Sequence, residues 1–314
     1  MQFQPLLDCW YLTGPTAAGK SAAGVELALR IGAEIVSMDS MALYRRMDIG
    51  TAKPSDQERR RVPHHLIDVI DPHEEYSLAQ YIEAAHRCVR DITGRGKKVL
   101  FVGGTPLYLK GLLRGIFQGP AADWAFRRQL QQEAQSQDPL WLHGRLQQID
   151  PSAAARLHPN DTRRLIRALE IFHLTGQPIS EFQKQFDVAA PAGQCRVFVL
   201  DWPRDELRAR IDHRVSEMFE NGFADEVRAL LADAKPPGKT ARQAVGYREV
   251  IEHLEGRRTL PQTLDLVQHH TRQLAKRQYT WFRSLGECRF VPITGNIDLA
   301  QVVERIRETA SGFE

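Results

Sequence analysis

Leu6-Leu7-Asp8-Cys9-Trp10-Tyr11-Leu12-Thr13-Gly14-Pro15-Thr16-Ala17-Ala18-Gly19-Lys20-Ser21 decides the fold of this chain. Leu6 to Leu12 is a short apolar run of strand character that ends at a glycine. Residues 14–21 form a glycine-containing loop, and Ala22 to Arg30 reads as a helix with Val25, Leu27, Ala28 and Leu29 available for burial. The loop fits G-x-x-x-x-G-K-[ST] at every fixed position, between the strand and helix that this motif requires. The residue types follow from the chemistry. Glycines let the backbone curl so that successive N–H groups converge on phosphate oxygens. The helix N-terminus adds partial positive charge. Lys20 supplies a full charge, and the Ser21 hydroxyl can ligand Mg²⁺. The motif predicts phosphate binding and leaves the reaction open.

Working outward, residues 34–38 form a second short strand and His65 to Ile70 a possible third. Tyr76 to Ile92 has helical period, and residues 98–102 form a near-continuous apolar strand stopped by Gly103-Gly104. Glycine-bounded apolar runs followed by helices indicate a buried parallel sheet. After Gly115 the character changes: 124–136, 140–149 and 162–174 read as helices. Strand character returns at Arg196 to Asp201, long helices follow to about Leu285, and a last strand lies at 289–293. The expected fold is therefore α/β, a P-loop NTPase-like parallel sheet with helices on both faces and an all-helical insertion. Its expected divisions are core 1–118, insertion 119–190, and core 191–314 with C-terminal helices.

The bulk numbers fit a globular protein. The 314 residues are 42% hydrophobic and 26% charged, enough for one large or two ordinary domains. No apolar run approaches the roughly 20 residues of a membrane helix, so no membrane association is expected. The N-terminal residues show no secretory signal pattern. Cys9, Cys88, Cys195 and Cys288 are scattered, which disfavours a disulfide framework and suits a reducing cytoplasm. A net charge of +3 says little by itself.

Asp39 ends the second strand, where ligands of open parallel sheets bind. It can hold Mg²⁺, take a proton from an incoming nucleophile, or cap a turn with Ser40. Arg163, Arg164 and Arg167 fall on or near one helical face, with Leu165, Ile166, Leu169 and Phe172 on the apolar side. Leu266 to Gly286 holds four Lys or Arg and no acid. Arg272, Lys276 and Arg283 share a face there, while Leu274, Trp281 and Leu285 can pack inward. Each basic face read alone is a solvated face. The run 58–61 reads the same way. Adjacent His64-His65 and His269-His270 lack metal-ligand spacing. Tyr247, beside Gly246, is a better candidate for stacking on a base than Trp281 or Phe282.

Seven segments, in order, make the chain resemble the tRNA dimethylallyltransferase (tRNA isopentenyltransferase) family. They are the phosphate loop, residues 39–54, 62–68, 103–108, 158–170, 243–249 and 271–283. One departure is that many members carry Gln-Val-Tyr where this chain has Ala42-Leu43-Tyr44. The resemblance implies dimethylallyl diphosphate as donor and, as acceptor, N6 of adenosine 37 in the anticodon stem-loop of tRNA. It implies Gly14-Pro15-Thr16-Ala17-Ala18-Gly19-Lys20-Ser21 as the diphosphate site, with Mg²⁺ on Ser21. It implies Asp39 as general base, with Thr105 and Arg127 near the reacting centre. The tRNA contacts it implies are Asp39-Ser40-Met41-Ala42, Arg163-Arg164-Leu165-Ile166-Arg167, Gln243-Ala244-Val245-Gly246-Tyr247-Arg248 and Lys276-Arg277-Gln278-Tyr279-Thr280-Trp281-Phe282-Arg283. A cytoplasmic monomer is expected.

The chemistry is consistent with these residues. Adenine N6 becomes acidic as it bonds to carbon, and a carboxylate can then take its proton. Charge grows on the departing diphosphate where Lys20 and the loop amides lie. Three other readings stand beside this one: a P-loop small-molecule kinase, an adenylate isopentenyltransferase acting on free nucleotides, and a non-enzymatic RNA-binding module.

Overall fold

The computed structural model describes residues 2–117, 119–182, 189–190, 194–295 and 298–310. In chain order the elements are β1 (Gln2–Phe3), β2 (Trp10–Thr13), α1 (Lys20–Ile31), β3 (Ala33–Ser37), α2 (Asp56–Arg61), β4 (His64–His65), α3 (Leu78–Gly94), β5 (Lys98–Val102), α4 (Pro106–Arg114) and β6 (Ile116–Phe117). Five helices follow: α5 (Trp124–Gln135), α6 (Trp141–Ile149), α7 (Pro151–Arg156), α8 (Thr162–Thr175) and α9 (Ile179–Phe182). The rest are β7 (Arg196–Asp201), α10 (Arg204–Glu220), α11 (Phe223–Leu231), α12 (Lys239–Arg242), α13 (Tyr247–Leu254), α14 (Leu260–Arg283), β8 (Cys288–Pro292) and α15 (Leu299–Ala310).

Six strands form one sheet in the order β4-β3-β5-β2-β7-β8, every pair parallel. The near-continuous apolar strands are explained by burial on both faces. Leu12, Ile35, Leu100, Phe198 and Leu200 join Leu27 of α1 and Val303 of α15 in one core. Tyr11, one residue out of phase with Leu12, points to the other face and stacks on Phe101 at 5.1 Å. Tyr81 of α3 stacks on Tyr108 of α4 at 3.8 Å. Each such fully buried side chain contributes about 1.5–3 kcal/mol of transfer free energy.

The third strand is shorter than expected. Leu66 and Asp68 take φ of 58° and 57°, so the chain leaves the extended region directly after His65. Lys53 holds the loop in place: its ammonium is almost fully buried and donates to Tyr44 O, Asp48 and Asp68. Arg59, expected in a solvated run, is half-buried and donates to Asp68 at 2.9 Å.

Two compact units emerge, residues 5–113 with 189–314 and residues 1–4 with 114–188. The first four residues group with the helical unit rather than the core, because β1 pairs antiparallel with β6. The expected insertion boundary near 190 adjoins 183–188 and 191–193, and the one at 118 also falls outside the described residues. Leu130, Leu146, Leu165 and Ile166 form the helical unit's own core. Among the described residues no helix is long and apolar enough to cross a membrane.

Candidate active site

The loop after β2 is built to present N–H groups. Gly14, Ala17 and Gly19 have φ of 145°, 63° and 86°, the curl that a phosphate loop requires, with Thr16 N held by Gln278 and Ala18 N by Pro15 O. The carbonyls are tied back in turn. Lys20 Nζ donates to Pro15 O at 2.7 Å, Arg210 Nε to Ala17 O at 3.0 Å, and Trp202 Nε1 to Ala18 O at 3.1 Å. α1 begins at Lys20 with no side-chain cap, leaving its first amides for an anion.

Four strand ends converge here, as expected for ligands of open parallel sheets. Asp39 follows β3, Gly103-Gly104-Thr105 follows β5, the phosphate loop follows β2, and Trp202 follows β7. Asp39 Oδ1 accepts from Met41 N at 2.9 Å, so the turn-capping role exists alongside any chemical one. Thr105 reaches the residues on both sides of Asp39. Its N–H donates to Met38 O at 3.2 Å, and its Oγ1 accepts from Ser40 N at 3.0 Å. Gly103 is required by this approach, because a Cβ there would lie 2.1 Å from Met38 O.

A cavity of about 650 Å³ opens over these strand ends, a volume typical of small-molecule sites. Its polar lining includes Thr16, Lys20, Ser21, Asp39, Thr105 and Arg214, and its apolar lining includes Ile211, Val215, Met218, Phe223, Val267 and Leu274. Burial and the neighbouring Arg214 push the Lys20 ammonium down to about 8, with Asp39 opposing the shift. Burial likewise lowers Arg214, again against Asp39. Two cations kept short of water beside one carboxylate make a site that gains by taking up an anion.

Arg210 and Arg214 escaped the sequence reading. They lie one turn apart on α10, bordering the buried stripe Leu207, Ile211 and Val215, and that spacing was the available signal. Arg214 Nη1 donates to Thr16 Oγ1 at 3.3 Å.

Several expected tRNA contacts have little exposed surface, and of these Ala42, Ala244, Gly246, Tyr247 and Gln278 line the cavity. Ala42, with its neighbours Leu43 and Tyr44, is buried, as are Leu165, Ile166, Ala244, Gly246 and Phe282. Tyr247 is largely buried in the cavity wall, where its hydroxyl donates to Glu226 at 2.6 Å and its ring meets Phe223 edge-on. Glu226, a residue not foreseen, also accepts from Asp48 N and Ile49 N. Gln278 is buried, bonded to Thr16 N and Gly104 O. Tyr279 accepts from Trp202 N through its hydroxyl, and Trp281 is half-buried. Arg272 shares a helical face with Lys276 and Arg283 as expected, but it is half-buried and its charge is paired with Asp212. Gln243, Arg248, Lys276, Arg277, Thr280 and Arg283 are exposed; Ser40, Met41 and Val245 are half-buried.

In the helical unit, Arg163 and Arg164 are exposed but Arg167 is not. It joins Arg127 on the fully buried Glu170, which accepts from Arg127 Nε at 2.8 Å and Nη2 at 2.7 Å. Burial alone would raise the Glu170 carboxyl, but the two guanidinium groups and the Asp123 amide hold it below its ordinary value. Of the expected histidine pairs, His65 bonds Glu34 and His270 bonds Glu249.

Comparison with known proteins agrees with this geometry. The family profile described as IPP transferase matches residues 42–285, and one described as isopentenyl transferase matches residues 7–71. A tRNA dimethylallyltransferase of Rhodopirellula baltica is 46% identical, covering 99% of this chain and 97% of its own length. One from Geobacter metallireducens is 47% identical, covering 96% and 95%. The crystal structure of the tRNA isopentenylpyrophosphate transferase of Bacillus halodurans matches with a TM-score of 0.71 at 36% identity, covering 98% of this chain and 96% of that one. A eukaryotic dimethylallyltransferase acting on tRNA matches with a TM-score of 0.77 at 29% identity, covering 96% and 77%. On the profile match and on relatives of this identity over nearly its whole length, the chain belongs to the IPP transferase family.

Proposed function

We propose that this chain is a tRNA dimethylallyltransferase, moving the dimethylallyl group of dimethylallyl diphosphate to N6 of adenosine 37 beside the anticodon. One observation carries the reading: a diphosphate-type loop, a carboxylate and an apolar lining share one cavity. A kinase cavity needs no such lining for its phosphates, and the relatives spanning this chain are prenyl-transferring enzymes that act on tRNA. The kinase and free-nucleotide readings therefore fall away.

In the reaction the N6–carbon bond forms while the carbon–oxygen bond to diphosphate breaks, and the electron pair leaves with the diphosphate. Lys20, Arg214 and the amides at the head of α1 border the cavity where the leaving diphosphate would lie, and would meet the charge that develops there. Asp39 takes the N6 proton, a contribution of about 10²–10⁴ in rate. Thr105 steadies the Asp39 turn from both sides. The residues fit Mg²⁺: Ser21, beside Lys20 at the head of α1, would offer its hydroxyl as a ligand, with the remaining positions left to the diphosphate and water. When bound there, Mg²⁺ supplies further positive charge to the leaving group. The exposed Arg163, Arg164, Lys276, Arg277 and Arg283 supply phosphate contacts. We place the enzyme in the cytoplasm as a monomer, a setting that suits cysteines held as thiols.

The test is mass spectrometry of tRNA nucleosides after incubation with purified protein, dimethylallyl diphosphate and Mg²⁺. A five-carbon prenyl unit on the adenosine next to the anticodon is expected; unmodified adenosine there refutes the reading.

A further inference from the structure

Helix α14 turns two kinds of residue outward and inward within one step. Lys276 and Arg277 are exposed, and Gln278, the next residue, is only 9% exposed. Both ends of its amide are committed. Oε1 accepts from Thr16 N at 2.9 Å, in the loop after β2, and Nε2 donates to Gly104 O at 2.7 Å, in the loop after β5. Closer to the sheet the same two strands are joined by Thr13 Oγ1 donating to Gly103 O at 2.8 Å. Gln278 repeats that link one step farther out, where the loops have left the sheet. Glycine at 104 is part of the arrangement: a Cβ there would come 2.8 Å from Gln278 Nε2 and 3.4 Å from Lys20 Nζ.

The loops so joined are the two that the chemistry needs. One carries Lys20 and Ser21. The other carries Thr105, which bonds Met38 and Ser40 on either side of Asp39. We infer that Gln278 is a positioning residue, setting the distance between the diphosphate-holding loop and the loop that fixes Asp39. Gln278 stands in the cavity wall, but with both ends of its amide committed it acts through Thr16 and Gly104. An amide with both ends satisfied in the interior is also poorly suited to reading RNA, the role its sequence position suggested. Misplacement of reacting groups by about 1 Å can cost about 10²-fold in rate, which sets the scale of the effect.

This inference rests on the prenyl-transfer reading, so the experiment has one arm that needs catalysis and one that does not. In Gln278→Ala, kcat for prenyl transfer is expected to fall about 10- to 100-fold, with donor KM and tRNA affinity within about threefold of wild type. Gln278→Glu keeps an acceptor for Thr16 N and loses the donor to Gly104 O, and its kcat should lie between the two. Independently, hydrogen exchange at the Thr16 amide should speed up in Gln278→Ala and stay near wild type in Gln278→Glu. Unchanged exchange at Thr16 in Gln278→Ala overturns the bridge whatever the reaction is. Unchanged kcat overturns the positioning role, as does a loss of tRNA affinity that accounts for the defect. A defect that disappears well below the variant's melting temperature would mark a structural brace and also overturn it. Absence of transfer by the wild-type enzyme, with exchange behaving as expected, would instead count against the reaction.

Discussion

Lys20 is a cation that the fold keeps short of water, and the consequence can be read in pH. Burial, then Arg214, brings it down to about 8 from 10.5. A lowered ammonium costs the fold stability while it is charged, and that cost is relieved as pH rises from about 8 toward 10.5. Anion binding should reverse the shift, so donor binding above pH 8 takes up a proton. The affinity for a dimethylallyl thiolodiphosphate is therefore expected to weaken above about pH 8, by up to about tenfold per unit. Lys20→Met should bind more weakly at neutral pH and lose that slope, which titration calorimetry across the range would reveal. Asp39 gives the complementary prediction. Asp39→Asn can still accept from Met41 N through its side-chain oxygen, but cannot take a proton. Turnover should drop by about 10²–10⁴ while tRNA affinity stays nearly constant. Single-turnover assays with saturating donor would separate these, and equal activity would remove Asp39 from the mechanism. At this scale the motif residues were legible, because the phosphate loop's chemistry is local. Arg214 and Gln278 were less so. The sequence shows that they sit on helices, but it does not show that those helices turn them toward loops roughly 200 or more positions away.

The strand–loop–helix elements carry glycines whose roles differ by what stands opposite them. At Gly103 the obstacle is main chain, with a Cβ 2.1 Å from Met38 O and 2.2 Å from its carbonyl carbon. Neither can yield without moving the end of β3 and, with it, Asp39. Gly103→Ala is thus expected to cost about 1–3 kcal/mol of stability and to lower turnover in the fraction that folds. Gly24, within α1, faces the Val102 methyls at 2.9 and 3.1 Å. Valine is stiff at χ1 and presents both methyls, so α1 and β5 must part by a few tenths of an ångström, against the about 0.5–1 kcal/mol that exchanging glycine for alanine in a helix returns. Gly24→Ala should therefore cost less than Gly103→Ala. Thermal melts of both variants decide the matter: equal destabilisation would show that the β3–β5 approach is looser than a 2.1 Å Cβ separation implies. β3 also contains Glu34, which its bonds to Arg95 and His65, working against burial, hold down to about 2. Its stabilisation is present above the ordinary value of 4.5 and lost as pH falls toward 2. Elements were legible where a period or an apolar run ran unbroken. The 65–70 run misled because two non-glycine residues take left-handed conformations there, which no residue type announces. The 44–54 loop was recognisable as a motif, but its reason was not: the buried Lys53 ammonium and the half-buried Glu226 carboxylate anchor it.

For the molecule as a whole, a net charge of +3 on 314 residues is too small for a global field to draw in RNA. Binding must come from local faces, and the structure narrows which. The basic patterns were legible in the sequence, but ion pairing was not. Arg167 is turned to Glu170 and Arg272 to Asp212, which leaves Arg163 and Arg164 on α8, and Lys276, Arg277 and Arg283 on α14. These two helices belong to different compact units. If one tRNA meets both, each phosphate contact contributes its own share of counterion release, about 0.7–0.9 to the slope of log K against log salt. Arg164→Ala and Arg277→Ala should each flatten that slope by somewhat less than one, and the double variant by the sum. Arg164 already holds Asp161 at 3.4 Å across an exposed pair, an interaction too weak to compete with a phosphate. Arg167→Ala and Arg272→Ala should leave the slope nearly unchanged, since both guanidinium groups are spent on carboxylates; their cost would appear in stability. Filter-binding titrations at several salt concentrations would distinguish the two sets. A slope lowered by Arg167→Ala as much as by Arg164→Ala would mean that tRNA breaks the Glu170 cluster open as it binds.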